Sequence, residues 1–335
     1  MTTHAEQATA WLSDKQRAME DALARLVAVN SYTENPEGGR QVGTLLRELF
    51  AIDGIETTVR PSQRFADHLV FRTRPDLPNK NAVALIGHLD TVFPAGSFEG
   101  YRRDGLHACG PGVLDMKGGL VVVAFALKAL QATAGLGSLV PLRVVVVADE
   151  EVGSPEGQGI IAAAISGSSA CLVFEAGRQG DAIITRRKGT GAMTAVAHGR
   201  AAHAGAAHEK GANAIWTLAR FVDSAQRLTD YARGVTVNVG RVSGGASKNT
   251  VPDRAEALVD LRFCTRADGE QLALAIGRVA AEAVASVPGT RIELQGGVSR
   301  MPLERTEESA RLLAEYAASA RMHGLGVSEA PLIGG

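Results

Sequence analysis

Residues 82–90 read AVALIGHLD, an apolar run that ends in a histidine and an aspartate. Two further runs, at residues 143–148 and 171–174, are apolar on both faces, and acidic residues follow each of them. Strands of this kind belong to a sheet covered by helices on both sides, as in α/β folds. Ligands of such sheets bind outside the carboxyl ends of the strands. The side chains that we therefore expect to meet in one crevice are His88, Asp90, Glu150, Glu151 and Glu175.

A glycine-rich loop adds Asp115 as a further candidate for the same crevice. One imidazole together with several carboxylates suits a borderline metal ion such as Zn²⁺, for which Co²⁺ or Mn²⁺ can substitute. His88 and Asp90 are two residues apart on an extended segment, so they point the same way and Asp90 can fix the tautomer of His88. Glu150 and Glu151 are adjacent, so we expect one to bind the metal and the other to act as a general base.

Each of these features has a commoner structural explanation when it is taken singly. A histidine after a strand is usually a surface residue, and an Asp-Glu-Glu cluster is usually a charged loop or a helix start. The segment Gly110-Pro111-Gly112 matches neither a phosphate-binding loop nor a dinucleotide-binding fingerprint. The joint position of the features, at three strand ends and one loop, favours a metal site over these explanations.

The composition is that of a globular protein of two domains. The chain has 335 residues, of which 45% are hydrophobic, and a net charge of −1. This length exceeds what a single core usually organises, and the near-neutral charge argues against nucleic acid or an anionic membrane as a partner. The three cysteines are too scattered for a disulfide framework or a cysteine-type zinc site. We expect a cytoplasmic location, because the N-terminal residues lack the apolar stretch of a secretory signal and the apolar runs are too short to span a bilayer.

The pattern of predicted elements changes near residue 185. Before it, helices are predicted over residues 11–29 and about 43–50, and the Asn-Pro and Gly-Gly breakers at residues 35–39 are expected to end the first of them. After it, the order is β-α-β-β-α-β, the ferredoxin-like arrangement of a small separate domain. A last helix and a short apolar run at residues 330–333 follow.

Three motifs of the first half resemble the signatures of the dinuclear zinc amidohydrolases. They are GHLDTVFP at residues 87–94, GPGVLDMKGG at residues 110–119 and ADEEVGS at residues 148–154. This family includes glutamate carboxypeptidases of the carboxypeptidase G type, aminoacylases, acetylornithine deacetylase and succinyl-diaminopimelate desuccinylase. The resemblance covers essentially the whole chain and is closest to the carboxypeptidase G type. It implies an α/β fold, in which a zinc-peptidase-like catalytic domain with a central, mostly parallel sheet carries an inserted ferredoxin-like dimerisation domain.

The resemblance also implies domain boundaries. Residues 1–184 would form the first part of the catalytic domain, residues 185–298 the dimerisation domain, and residues 299–335 a return to the catalytic domain. The family pattern continues past residue 335 into further strands and helices, which include a late zinc-binding histidine. His323 lies at a predicted helix end and does not match that histidine. The resemblance therefore implies a catalytic domain that is incomplete at the C-terminus, or one open zinc site.

Two Zn²⁺ ions and a role for each candidate follow from the same resemblance. The implied metal ligands are His88 and Glu175 on one ion, Glu151 on the other, and Asp115 as the bridge between the two. Glu150 would be the general base that takes a proton from the attacking water. Asp90 would orient His88.

The second domain is similar to the family's dimerisation domain. Its AAHAG motif implies that His203 reaches into the active site of the partner and helps to stabilise the tetrahedral oxyanion. Asn249 and Arg262 resemble substrate-contacting positions, and an arginine fork suits a substrate carboxylate. The alternatives are that His203 is an ordinary loop histidine and that Arg262 forms an ion pair with Asp260 or Glu256.

The resemblance implies a homodimeric, zinc-dependent hydrolase of amide bonds. Its substrates would be N-acyl amino acids or short peptides, from which it would release a C-terminal amino acid as a glutamate carboxypeptidase does. The same residues would serve an N-acyl-amino-acid deacylase or desuccinylase. A non-catalytic dimeric scaffold that keeps the fold is an alternative of another class, which the presence of Glu150 disfavours because a scaffold needs no base.

Overall fold

The structure, a computed structural model, describes residues 3–332. The chain divides into two compact units, one up to Gly177 and one from Arg178 onward. This division lies before the boundary expected at residue 185. Among the described residues, no helix is long and apolar enough to cross a membrane.

The first unit is built around a five-stranded sheet. Its helices are α1 (His4–Leu12), α2 (Gln16–Val27), α3 (Pro36–Leu49), α4 (Lys117–Thr133) and α5 (Gly157–Ile165). Its strands are β1 (Ile55–Arg60), β2 (His68–Thr73), β3 (Val83–His88), β4 (Arg102–Asp104), β5 (His107–Cys109), β6 (Leu142–Val147) and β7 (Ala170–Val173). The sheet order is β1-β2-β6-β3-β7, and β2 runs opposite to the other four strands. The predicted α/β class with a mostly parallel central sheet is confirmed.

Apolar layers cover both faces of this sheet. The larger core lies between the sheet and helices α2, α3 and α4, and includes Leu46, Phe71 and Leu120. On the other face, Val145 and Val147 of β6 pack with α5. Burial of apolar area on both faces fixes the strand ends relative to one another, which is what brings loops from different strands to one place.

Strand β7 is less buried than its apolar sequence predicts. Leu172 and Val173 are 36% and 59% exposed, because β7 lies at the edge of the sheet beside β3. The expectation that this run is covered on both faces is therefore wrong for the described residues. An apolar run shows that a strand can be buried, but its position in the sheet decides whether neighbours cover it.

The helix boundaries at the N-terminus differ from those predicted. Residues 11–29 do not form one helix, since α1 ends at Leu12 and α2 begins at Gln16. The Asn-Pro pair begins α3 instead of ending a helix: the side chain of Asn35 accepts the Gly38 amide at 3.2 Å, and proline suits the first helical turn. A Cβ on Gly38 would lie 1.9 Å from the carbonyl oxygen of Asn30. This glycine is thus required by close packing and does not break the helix.

The second unit contains the predicted β-α-β-β-α-β arrangement. Its helices are α6 (Ala214–Gln226), α7 (Arg266–Ala285) and α8 (Glu307–Met322). Its strands are β8 (Ile183–Arg187), β9 (Gly189–His198), β10 (Ala202–His203), β11 (Thr236–Gly244), β12 (Thr250–Val251), β13 (Arg254–Phe263), β14 (Arg291–Arg300) and β15 (Glu329–Leu332). The antiparallel order β11-β13-β9-β14, with α6 and α7 packed on one face, is the ferredoxin-like topology.

The segment after residue 299 pairs within this second unit. Strand β15 runs parallel to β8, and Leu303 forms a bridge with Arg187. The predicted apolar run at residues 330–333 corresponds to β15, and residue 333 lies outside the described residues.

Candidate metal centre

His88 is the last residue of β3 and is 1% exposed. Its Nδ1 atom lies 3.0 Å from the backbone oxygen of Asp90 and 3.2 Å from the Asp90 carboxylate. Its Nε2 atom lies 3.1 Å from Oδ1 of Asp115 and 3.7 Å from Oε1 of Glu175. One nitrogen is therefore held by the chain behind the site, while the other faces carboxylates that come from two further loops.

The buried carboxylate of Asp90 connects His88 to the turn that follows β6. Its Oδ2 accepts the Thr33 hydroxyl at 2.8 Å and the Glu151 amide at 3.2 Å, while Oδ1 accepts the Glu150 amide at 3.2 Å. Burial opposes the charged form, but these donors and His88 hold the pKa of Asp90 below its usual value. Asp90 is thus favoured in its ionised form, in contact with His88.

Asp115 is held at the site by the start of α4. The next residue but one, Lys117, is fully buried, and its Nζ donates to the carbonyl oxygens of Leu26 and Val29 at 3.0 Å each. Burial lowers the pKa of Lys117 to about 8. These two bonds tie the loop to the end of α2, so Asp115 reaches His88 from an anchored backbone although its own side chain is 53% exposed.

Glu151 completes a cluster of three side chains that could hold a metal ion. One ligand atom each from His88, Asp115 and Glu151 lie within 4.8 Å of one another. Burial raises the pKa of Glu151 to about 7; the charge of His88 works against this rise, and the carboxylate of Asp115 adds to it. The carboxylates thus repel one another where no cation separates them.

The electrostatics of His88 show that this cluster fits a divalent cation. Burial by itself would lower the pKa of His88, but the carboxylates of Asp115, Asp90 and Glu175 raise it to about 12. The protein therefore surrounds this position with more negative charge than one imidazole can neutralise. An imidazole nitrogen with carboxylate oxygens is also a donor set that zinc binds in proteins.

The other predicted site residues belong to the second unit. His203 is exposed, and its Nδ1 accepts the amides of Gly205 and Ala206 at 3.2 and 3.1 Å. Asn249 lies beside it, because the amide of Ala204 donates to the Asn249 carbonyl oxygen at 2.9 Å. Strands β10 and β12 pair next to these residues. The structure thus brings His203 and Asn249 together.

Arg262 is paired in the way that the sequence analysis gave as the alternative. Its Nε and a terminal nitrogen donate to the two carboxylate oxygens of Asp260 at 2.9 and 3.0 Å. His323 is exposed at the end of α8, as the helix pattern predicts.

Sequence reasoning assigned no role to two residues that shape the site. The Thr33 hydroxyl donates to Asp90, from a position 57 residues away in the chain. Asp149, fully buried, accepts the amides of Glu156 and Gly157 at 2.8 and 2.9 Å. No local pattern points to Thr33. No local pattern points to the role of Asp149 either, because a capping residue directly precedes its helix, whereas α5 begins only at Gly157.

The chain is similar to several known proteins. A family model described as "Peptidase dimerisation domain" matches residues 185–287. Carboxypeptidase G2 of Pseudomonas sp. (strain RS-16) is 29% identical over 263 residues, which are 76% of this chain and 62% of that protein. Acetylornithine deacetylase of Myxococcus xanthus is 29% identical over 231 residues, which are 64% of this chain and 58% of that protein. The chain thus spans about three fifths of the length of these relatives.

Two solved structures show the same fold. Aminopeptidase PepT from Bacillus cereus superimposes with a TM-score of 0.74 at 19% identity, covering 96% of this chain and 85% of that chain. The M20 family metallo-carboxypeptidase Sso-CP2 from Sulfolobus solfataricus gives a TM-score of 0.62 at 15% identity, covering 95% of this chain and 86% of that chain.

Proposed function

We propose that the chain is a member of the M20 peptidase family, and that it hydrolyses amide bonds of N-acyl amino acids or short peptides and releases the C-terminal amino acid. The observation that carries this proposal is the cluster of His88, Asp115 and Glu151, whose ligand atoms lie within 4.8 Å of one another. Its position at the carboxyl ends of β3 and β6 is where α/β sheets bind ligands.

Two zinc ions are the proposed cofactor. The residues that would hold them are His88 and Glu175 on one ion, Glu151 on the other, and Asp115 as the bridge. When bound, zinc would polarise the scissile carbonyl and stabilise the charge that develops on its oxygen. Asp115 lies 3.1 Å from His88 and also belongs to the cluster with Glu151, so it is close to a residue assigned to each ion, which supports a bridging position.

Glu150 is the proposed general base. Its backbone amide is bound to Asp90, which also holds His88, so the base and a metal ligand share one buried anchor. In the reaction, Glu150 would take a proton from the attacking water and pass it to the nitrogen of the leaving amine. Both transfers need a carboxylate that is positioned close to the cluster without being consumed as a ligand.

The second unit would supply substrate contacts and a partner's histidine. Two amides donate to Nδ1 of His203, so its proton lies on Nε2, which can donate to the oxyanion in the active site of a second copy. Asn249 lies next to it and is proposed to contact the substrate. Arg262 would bind a substrate carboxylate with the fork that now binds Asp260, exchanging one carboxylate partner for another.

The variant Glu150→Gln tests the assigned chemistry. We expect it to retain zinc and the fold, and to lose about 10²–10⁴ in kcat, which is the usual contribution of a positioned base. Glu37→Gln is the matched control, because Glu37 is exposed in the first turn of α3. Zinc content and kcat are measured on the same preparations. Near-normal turnover by the zinc-loaded Glu150 variant would show that another group acts as the base.

A deacylase is the second candidate, since acetylornithine deacetylase is among the relatives. The two activities differ in the substrate that the same residues accept. Turnover of p-aminobenzoyl-glutamate would support the glutamate carboxypeptidase, and turnover of N-acetylornithine would support the deacylase. A protein that binds zinc and hydrolyses no substrate of either class would be the non-catalytic scaffold.

A further inference from the structure

We propose that Asp149 is a positioning residue that fixes the turn carrying Glu150 and Glu151, through the bonds of its carboxylate to the start of α5. The turn in question comprises residues 149–157 and is called the catalytic turn below. The inference rests on the proposed function for the role of Glu150 and Glu151, and on the hydrogen bonds of Asp149 for the mechanism of positioning.

Asp149 closes the catalytic turn on itself. Its backbone oxygen accepts the amide of Ser154 at 2.8 Å. Its Oδ2 accepts the amides of Glu156 and Gly157 at 2.8 and 2.9 Å. These amides are orphan donors at the N-terminus of α5, where a negative charge is favourable. One residue thus holds the far end of the turn back against the end of β6.

The near end of the catalytic turn is held by a second carboxylate. The amides of Glu150 and Glu151 donate to the two oxygens of Asp90 at 3.2 Å each. Between these anchors, the backbone passes through a left-handed position at Gly153, where φ is 93°. Asp90 and Asp149 therefore clamp the turn from both ends, and its two acidic side chains extend from a backbone with little freedom to shift.

The surroundings of Asp149 keep water away from these bonds. Asp149 and His68 are both fully buried. The amide of Ala148 donates to Nδ1 of His68 at 3.2 Å, and this nitrogen lies 3.9 Å from Oδ1 of Asp149. A Cβ on Gly157 would lie 2.4 Å from Oδ1 of Asp149, so the carboxylate fits closely against the helix start. A buried bond that water cannot replace is costly to lose.

Positioning of the catalytic turn by the Asp149 side chain needs one acceptor oxygen, because Oδ2 accepts both the Glu156 and the Gly157 amide. Among the described residues, Oδ1 has no hydrogen-bond partner. Asparagine can place its oxygen at the Oδ2 position and keep both amides bound, with its NH₂ group at the Oδ1 position. Alanine removes the acceptor altogether. The pair Asp149→Asn and Asp149→Ala therefore separates positioning by hydrogen bonds from a requirement for charge.

The experiment measures kcat and KM of the zinc-loaded, full-length variants. We expect Asp149→Ala to lower kcat about 10²-fold with KM unchanged, the size of effect that misplacement of a catalytic group by about 1 Å produces. We expect Asp149→Asn to stay near wild type. Thr265→Ala is the matched control, because Thr265 caps α7 in the second unit with a bond of 3.0 Å to the Asp268 amide. It should lower the thermal midpoint and leave kcat unchanged.

Hydrogen exchange provides a readout that does not depend on turnover. In Asp149→Ala, amides of the catalytic turn should exchange faster, while Asp149→Asn should retain their protection. If Asp149→Ala does not fold, Gly157→Ala displaces the carboxylate by contact and should lower kcat in the same way. Normal kcat and protection in Asp149→Ala, or failure of asparagine to restore both, would overturn the inference. Faster exchange in Asp149→Ala and retained protection in Asp149→Asn, found in a protein that hydrolyses no amide substrate, would support the positioning role and refute the proposed function.

Discussion

Replacing Asp90 by asparagine should weaken zinc binding and destabilise the first unit. Each oxygen of this carboxylate has two partners in the structure. Oδ1 lies 3.2 Å from Nδ1 of His88 and accepts the Glu150 amide. Oδ2 accepts the Thr33 hydroxyl and the Glu151 amide. Since Asp90 is 1% exposed, solvent cannot replace a lost partner.

The size of the effect follows from the partners that asparagine can keep. The Thr33 hydroxyl can rotate and accept a bond, so the least costly orientation places the new NH₂ group at the Oδ2 position. The Glu151 amide then faces the NH₂ group of asparagine and loses its hydrogen-bond acceptor. A buried donor without a partner costs about 1–3 kcal/mol. Because His88 also loses the charged partner that orients it, zinc affinity should fall about 10–100-fold.

The assay is a competition titration of zinc against a chromophoric chelator, together with the thermal midpoint of the same protein. Asp268→Asn is the matched control. Asp268 is 8% exposed and accepts the Thr265 hydroxyl at 2.7 Å, but it lies on α7 in the second unit. It should lower the thermal midpoint without changing zinc affinity. Zinc affinity equal to wild type in Asp90→Asn would refute the role of Asp90 in orienting His88.

Two further predictions concern the metal and the partner subunit. Asp115→Ala should lose both zinc ions, whereas Glu175→Ala should mainly weaken one; two zinc ions found by elemental analysis in the Asp115 variant would reject the bridging role. A dimer of one His203→Ala subunit and one Glu150→Gln subunit should recover about half of the wild-type activity, because one active site receives both lesions and the other neither. A heterodimer that stays inactive would exclude action of His203 across the interface.

Much of the fold can be predicted from the sequence, because the patterns that indicate its strands and helices are formed by residues close together in the chain. Apolar runs that are followed by a histidine or acidic residues predicted β3 and β6 and the strand ends that carry His88 and Glu150. The alternation of apolar residues predicted the ferredoxin-like unit and its order of elements. Resemblance of three motifs to a known family indicated the residues that the structure brings into one cluster. These features depend on neighbours in the chain, which a single sequence displays.

Other features depend on contacts between distant residues, and only the tertiary structure decided them. The Gly-Gly pair at residues 38–39 indicates a break, but Gly38 lies inside α3. Position 38 requires glycine because the backbone of Asn30 leaves no room for a side chain. Arg262 and Asp260 are paired, where the sequence left the partner open. Thr33 reaches Asp90 across 57 residues. Residue types and spacing fix which groups can bind, but packing of separate elements decides which of them meet and which are buried, and hence their charge.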